Sequence, residues 1–287
     1  MRKILRRVGR WGLGLFGFSI RRNPPWATRA GNHTIWRSDW GQYNRDDYEQ
    51  IFGAEAVSAR RFYNVGAGGF RHPAWTNVDK RSDWYKGNKD LVAIDVNLLE
   101  PHLIPIEDGR AEIVYSSHVI EHLPNDSAAH LFAEAYRMLN RGGVLRIACP
   151  DVRVIYDAYA RGDRIFFHYL YDNIQDCFLH TFAAHLIKPD YPERLAAEEV
   201  DRLFGSKPLE EALDAVTSMC SVDYQQTHPG AHMNWWHHEK LETFLRQAGF
   251  QNIHRSGFGQ SVCPVLRDTR FFDNTVPKFS MYLDAVK

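Results

Sequence analysis

The chain has 287 residues, of which 44% are hydrophobic and 24% are charged, a composition that suits a globular protein with a substantial core. Its 35 basic and 35 acidic residues balance, so the molecule as a whole has no charge bias toward nucleic acid. Eight basic residues and no acidic ones lie within residues 1–30, and the remainder of the chain is therefore acidic.

Residues 1–50 are predicted to form a basic and aromatic extension. Residues 11–20 (WGLGLFGFSI) are apolar and follow a basic leader, but a bilayer span takes about 20 residues, and the small-residue cleavage site of a signal peptide is missing. Two interpretations remain open. The segment is either a frayed tail or a peripheral contact with an anionic membrane surface through residues 1–22.

The four cysteines are far apart in the sequence and form no CxxC pair. They are predicted to be buried, reduced side chains rather than disulfides or zinc ligands. This pattern indicates a reducing compartment and a cytoplasmic location.

Short apolar runs alternate with a helical pattern through the first half of the chain. Residues 126–140 predict a helix, because apolar residues recur at spacings of three and four and Gly142-Gly143 follow. Five runs have the length and composition of buried strands: residues 62–66, 75–79, 91–96, 111–116 and 144–149. Strands that alternate with helices predict an α/β fold with a mostly parallel sheet.

The strand pattern is interrupted between residues 151 and 236, where the sequence has helical spacing of apolar residues and many aromatic residues. It resumes with a helix around residues 241–248, a strand near 251–256 and a closing strand over 278–286. Residues 51–150 and 237–287 are therefore predicted to form one Rossmann-like domain, interrupted by a helical insertion over 151–236. An insertion of that length exceeds an ordinary connection and is typical of a functional lid.

The sharpest motif is the run Asn64-Val65-Gly66-Ala67-Gly68-Gly69 directly after the first strand. Glycines there allow a tight turn and a close approach of ligand to backbone, at the edge of the sheet where open α/β folds bind ligands. Asp79 ends the next strand and could accept both hydroxyls of a ribose. A nicotinamide site fits less well, since position 71 is arginine and Asp79 follows Gly66 by 13 residues instead of about 20. A nucleoside without phosphate, such as S-adenosylmethionine (SAM), fits better.

Four segments together resemble the successive motifs of class I SAM-dependent methyltransferases. They are residues 64–69, residues 75–79 (WTNVD), residues 116–123 (SSHVIEHL) and residues 142–151 (GGVLRIACPD). The sequence is most similar to the subgroup related to the ubiquinone/menaquinone and type 11 methyltransferases, which is associated with bacterial surface-glycan biosynthesis. The resemblance implies a Rossmann-like SAM-methyltransferase sheet with an antiparallel last strand, and SAM as cofactor.

Site residues also follow from the resemblance. Gly66, Ala67 and Gly68 would line the methionine part of SAM. Asp79 would hold the ribose and Asp95 would lie near the adenine, while Ser117 and His118 would flank the sulfonium. Asn64 occupies a position that is usually Asp or Glu and that orients the amino group of the cofactor; asparagine keeps an acceptor but loses the charge.

Methyl transfer needs a base only when the acceptor is a hydroxyl that must lose its proton. His118, beside the implied methyl position, and His228 and His232, at the end of the insertion, are the candidate catalytic residues. Their functional role competes with an ordinary packing role, which is common for histidine. No metal site is predicted, because Pro229-Gly230 prevents a regular helix from bringing His228 and His232 onto one face.

The sequence therefore predicts a SAM-dependent methyltransferase acting on a small molecule or glycan, by O-methylation, in polysaccharide biosynthesis. The alternative is a non-catalytic SAM-fold protein that binds a partner through its helical insertion. A nucleic-acid acceptor is not expected, because the basic residues concentrate in the N-terminal extension and no Asn/Asp-Pro-Pro-Tyr/Phe motif for a flipped base follows the fourth strand.

Overall fold

A computed structural model describes residues 45–82 and 89–287. The predicted contact of residues 1–22 with a membrane lies outside these residues, as does most of the predicted extension. Among the residues described, no helix has the length and apolar character needed to cross a membrane.

Seven strands form one sheet in the order β3-β2-β1-β4-β5-β7-β6. Their bounds are β1 Phe62–Val65, β2 Trp75–Asp79, β3 Ile94–Asp95, β4 Ala111–Ser117, β5 Leu139–Pro150, β6 Asn252–Ser256 and β7 Ser280–Val286. The first five strands pair in parallel, and β7 runs antiparallel between β5 and β6. The predicted fold class, a mostly parallel Rossmann-like sheet with an antiparallel last strand, is confirmed.

Nine α-helices are described in residues 45–82 and 89–287. They are α1 Arg45–Phe52, α2 Ala54–Ser58, α3 Asn125–Met138, α4 Val152–Ala160, α5 Ile174–His180, α6 Ala197–Ser206, α7 Leu209–Thr217, α8 Val222–Thr227 and α9 His238–Gln247. Helix α1 packs on the sheet, because buried Tyr48 contacts the ring of Phe62 edge-on at 5.1 Å. Tyr48 lies within the predicted extension, whose boundary at residue 50 stays a prediction.

Helices α4 to α8 lie between the end of β5 and the start of α9. They enclose their own cluster of buried apolar side chains, with Phe178 and Leu213 fully buried within it. Aromatic and aliphatic burial on this scale stabilises a compact helical unit. The limits of that unit as a separate domain, residues 151–236, stay a prediction.

A buried arginine ties the middle of the sheet to its far edge. Arg146 of β5 is fully buried and its Nη2 lies 2.5 Å from Oδ2 of Asp273. Its Nη1 lies 3.1 Å from Oδ1 of Asp284 in β7 and donates to Oγ of Ser256 in β6 at 2.6 Å. One side chain therefore joins three strands and the loop before β7, and its charge offsets that of two buried carboxylates.

We expect Arg146→Met to lower the free energy of unfolding by about 3–5 kcal/mol, because it leaves two buried carboxylates without a counter-charge. Urea unfolding followed by circular dichroism measures this. The matched control is Arg255→Met, whose half-exposed guanidinium pairs with Glu239 and Glu242 and should contribute less than about 1 kcal/mol. Equal losses in the two variants would contradict the role given to Arg146.

Candidate cofactor and acceptor site

The strand order reverses between β1 and β4, and a cavity of about 430 Å³ opens at the carboxyl ends of these strands. This is the place where open α/β sheets bind their ligands, and the volume lies in the range of small-molecule sites. The lining comes from the loop after β1, the ends of β2 and β4, the segment after β3 and helix α8: Gly66–Gly69, Asp79, Lys80, Ser82, Asn97–Leu99, Ser117–Val119, His122, Leu123, Gln225, Gln226, Pro229 and Thr275.

The loop after β1 requires glycine at two positions. Gly66 and Gly68 have φ angles of 72° and 52°, in the left-handed region. A Cβ at Gly66 would also collide with the side chain of Val119, whereas a Cβ at Gly68 would meet no atom within 4 Å. Gly66 therefore permits the close approach of β1 to the chain after β4, and Gly68 leaves its surface open to a ligand.

Asp79 holds this loop in place. Its Oδ2 accepts the N–H of Gly68 at 2.6 Å and its Oδ1 accepts the N–H of Lys80 at 2.7 Å. Burial raises the pKa of the Asp79 carboxyl, and these two hydrogen bonds oppose that effect. A carboxylate has about four acceptor sites, so Asp79 can hold the loop and still accept ribose hydroxyls.

Asp95 does not line the cavity. Its Oδ1 accepts the N–H of Arg81 at 3.0 Å, and its Oδ2 lies 3.7 Å from the Arg81 guanidinium. The segment immediately after it, Asn97 to Leu99, lines this end of the cavity instead. Sequence reasoning missed this segment, whose two leucines add apolar surface to the cavity lining.

Asn64 lies beneath the glycine loop. It is buried in β1 and lines a neighbouring cavity of about 370 Å³. That cavity shares Gly66, Ala67 and Ser117 with the first one. Asn64 therefore borders the second cavity and is outside the lining of the first.

His118 lies at the end of β4 with a φ of 56°, unusual for a residue other than glycine. Its Nε2 lies 2.8 Å from Oγ of Ser280, a hydroxyl that itself donates to the carbonyl of Val276 at 2.9 Å. Its Nδ1 lies 3.1 Å from Oε1 of Glu121. Both ring nitrogens of His118 therefore lie within contact distance of a polar partner, Ser280 on one side and Glu121 on the other.

The two histidines predicted from the insertion contact different aromatic rings. His228 is outside the cavity lining and stacks on Tyr224, with ring centroids 4.1 Å apart. His232 instead packs edge-on against His122, at 4.6 Å between centroids. The structure thus joins His232 to His122, a contact between two distant parts of the chain.

Glu121, His122 and His232 form a cluster whose potential ligand atoms all lie within 4.8 Å of one another. Burial acts to raise the pKa of Glu121, but His118, His122 and His232 outweigh it and lower the pKa to about 2. Burial lowers the pKa of His232 to about 3, and His122 adds to the effect. Glu121 is therefore ionised and His232 neutral at physiological pH.

Comparison with known proteins gives one domain match. Residues 76–147, or 72 of the 287 residues, match the family model described as a methyltransferase domain. The match runs from β2 to the middle of β5 and includes Asp79, Ser117, His118 and the Glu121-His122 pair. The chain carries a methyltransferase domain. SAM is its methyl donor.

The fold of the chain is also similar to that of solved SAM-dependent methyltransferases, at low sequence identity. One from Thermotoga maritima is 13% identical, with 84% of this chain and 95% of that one covered and a TM-score of 0.37. One from Archaeoglobus fulgidus is 15% identical, with 86% and 100% covered and a TM-score of 0.38. One from Mesorhizobium loti is 14% identical, with 82% and 99% covered and a TM-score of 0.40. No curated protein matches the chain in sequence.

We expect Asp79→Ala to weaken SAM binding at least about tenfold, because a hydrogen bond to a charged group contributes about 1.5–3 kcal/mol. Isothermal titration calorimetry with SAM and with S-adenosylhomocysteine measures this. Asp190→Ala, which removes an exposed carboxylate in the insertion, is the matched control. Asp95→Ala should weaken binding less than Asp79→Ala, since Asp95 is outside the cavity lining. The reverse order would assign the ribose to Asp95.

The methyltransferase should tolerate alanine at Gly68 better than at Gly66. A left-handed alanine costs about 1–2 kcal/mol at either position, but Gly66→Ala must in addition displace Val119. Urea unfolding should therefore show a larger loss of stability for Gly66→Ala. Equal losses would mean that the Val119 side chain moves aside freely.

Proposed function

We propose that the methyltransferase transfers the methyl group of SAM to a hydroxyl group of a small molecule or glycan. The observation that carries this proposal is the two-sided lining of the cavity. One side is the glycine loop and Asp79, and the other is Gln225, Gln226 and Pro229 of the helical insertion together with His122. The first side suits a nucleoside, and the second offers amide and imidazole groups to a hydroxyl-rich acceptor.

The proposed reaction is an in-line displacement at the methyl carbon of the sulfonium. The acceptor oxygen forms a bond to that carbon as the carbon–sulfur bond breaks, and S-adenosylhomocysteine leaves. The protein contributes mainly by aligning the two reactants and excluding water. Ser117 and His118, at the carboxyl end of β4, are the proposed neighbours of the methyl group.

Among the histidines, His122 is the group we propose to face the acceptor. Its Nδ1 lies 3.0 Å from the carbonyl oxygen of Ala231 and donates to it, so Nε2 is the ring nitrogen that this hydrogen bond does not use. His122 also lines the cavity, whereas His228 and His232 do not. We assign His118 to positioning, because both of its nitrogens are engaged by Ser280 and Glu121.

A glycan acceptor and a place in polysaccharide biosynthesis are supported by the resemblance to the surface-glycan subgroup and by the polar insertion side of the cavity. Contact of residues 1–22 with a membrane surface remains a separate prediction. A cytoplasmic location would agree with four buried, free cysteines.

The test is release of S-adenosylhomocysteine from purified full-length protein with SAM and a panel of acceptors, namely sugars, oligosaccharides, phenols and amines. Transfer to hydroxylated acceptors supports the proposal. Transfer to amines alone would assign N-methylation, and SAM binding without turnover on any acceptor would favour the alternative of a non-catalytic binding protein.

We expect Gln226→Ala to raise the KM for the acceptor several-fold and to leave SAM affinity unchanged, because Gln226 lines the insertion side of the cavity. Steady-state kinetics and calorimetry separate the two effects. Gln247→Ala, an exposed glutamine at the end of α9, is the matched control. A loss of SAM affinity in Gln226→Ala, with an unchanged KM, would place the acceptor elsewhere.

A further inference from the structure

We infer that Glu121, His122 and His232 form a binding site for one divalent transition-metal ion on the acceptor side of the cavity. The three groups come from two segments of the chain: the turn after β4 and the end of the insertion. His122 belongs both to this cluster and to the cavity wall, so an ion held there would border the space of the acceptor.

The main chain fixes these two segments against each other. The carbonyl of Glu121 accepts the N–H groups of Met233 and Asn234 at 2.9 and 3.1 Å. The side-chain Nδ2 of Asn234 donates to the carbonyl of Leu123 at 2.9 Å. The hydrogen bond from His122 to the carbonyl of Ala231 completes the connection. His232 lies in the middle of this short segment and is thereby held beside Glu121 and His122.

Glu121 gives independent evidence for a ligand. Its side chain is only 2% exposed, and Oε2 of its carboxylate has no hydrogen-bond partner. The nearby Nδ1 of His118 is within ion-pair distance of Oε1 but leaves Oε2 without any partner. Nδ1 of His232 is likewise buried and without a hydrogen bond. Buried polar atoms in this state cost free energy unless something binds them.

The donor set indicates the type of ion. Two imidazole nitrogens and one carboxylate oxygen are the protein ligands of many catalytic zinc sites and of non-haem iron sites. Magnesium and calcium prefer oxygen ligands alone. Zinc bonds of about 2.0–2.1 Å set the ligand atoms roughly 3.4 Å apart in a tetrahedron. Since the ligand atoms of the cluster lie within 4.8 Å of one another, binding would bring them closer by at most about 1.4 Å. The hydrogen bond at Nδ1 of His122 is the outer contact that orients a metal-binding imidazole.

The role of the ion rests on the proposed function. An acceptor hydroxyl bound in the open position of the ion would have a lowered pKa, as metal-bound water does. Its proton would leave to a water molecule, the oxygen would bond to the methyl carbon, and the electron pair of the broken carbon–sulfur bond would stay on sulfur. The products are the methyl ether, S-adenosylhomocysteine and a hydronium ion.

The test uses full-length protein without an affinity tag, stripped with chelator and then titrated separately with Zn²⁺ and Co²⁺. We expect about one equivalent of metal by elemental analysis after desalting, and d–d absorption bands with Co²⁺. His232→Gln and His122→Gln should each lower metal affinity at least about tenfold. His254→Gln, which removes an exposed imidazole on β6, is the matched control. Glu121→Gln, which keeps the size of the side chain, is a third variant of the cluster. Circular dichroism and the melting temperature identify any variant that does not fold.

Metal content far below one equivalent, or equal affinity in the wild type, the cluster variants and His254→Gln, would overturn the site. The outcomes also separate the two proposals. Full turnover by the metal-free protein would overturn the role of the ion while the proposed function stands. Stoichiometric metal with no turnover on hydroxylated acceptors would support the site and count against the proposed function.

Discussion

The main-chain hydrogen bonds between Glu121 and residues 233 and 234 are the constraint on which the site depends. They return the helical insertion to the sheet at the point where β4 ends, more than 100 residues earlier in the chain. These hydrogen bonds join main-chain N–H groups to a main-chain carbonyl. They therefore do not depend on the side chains at residues 121, 233 and 234. They bring the groups of the insertion beside the residues that the parallel sheet presents.

The sheet and the cofactor side of the cavity follow from local sequence signals. Apolar runs of strand length marked β1, β2 and β4, and the glycines after β1 marked the turn where a ligand can approach. Parallel strands then bring Gly66, Asp79 and Ser117 to one edge of the sheet without further information. This is why the fold class was predictable, and why Asp79 was found as a neighbour of the glycine loop.

Strand bounds and side-chain partners that depend on residues far apart in the chain could not be predicted from the sequence pattern. Residues 91–96 predicted a strand, but only Ile94 and Asp95 pair at the sheet edge. Gly142-Gly143 read as a helix stop, yet β5 already begins at Leu139, and the main chain of Lys287 pairs with both glycines. Asp95 ends its strand as expected but engages Arg81. The contact between His232 and His122, which lie 110 residues apart in the chain, likewise has no local sequence signal.

The contact between Gly66 and Val119 limits the combined side-chain volume at these two positions. The isopropyl group of Val119 fills the space that a methyl group on residue 66 would take. In a homologous chain, a larger residue at the first position could be accommodated only if the second became smaller. Covariation of these two positions among related sequences would therefore show that the close approach of β1 to the turn after β4 is conserved.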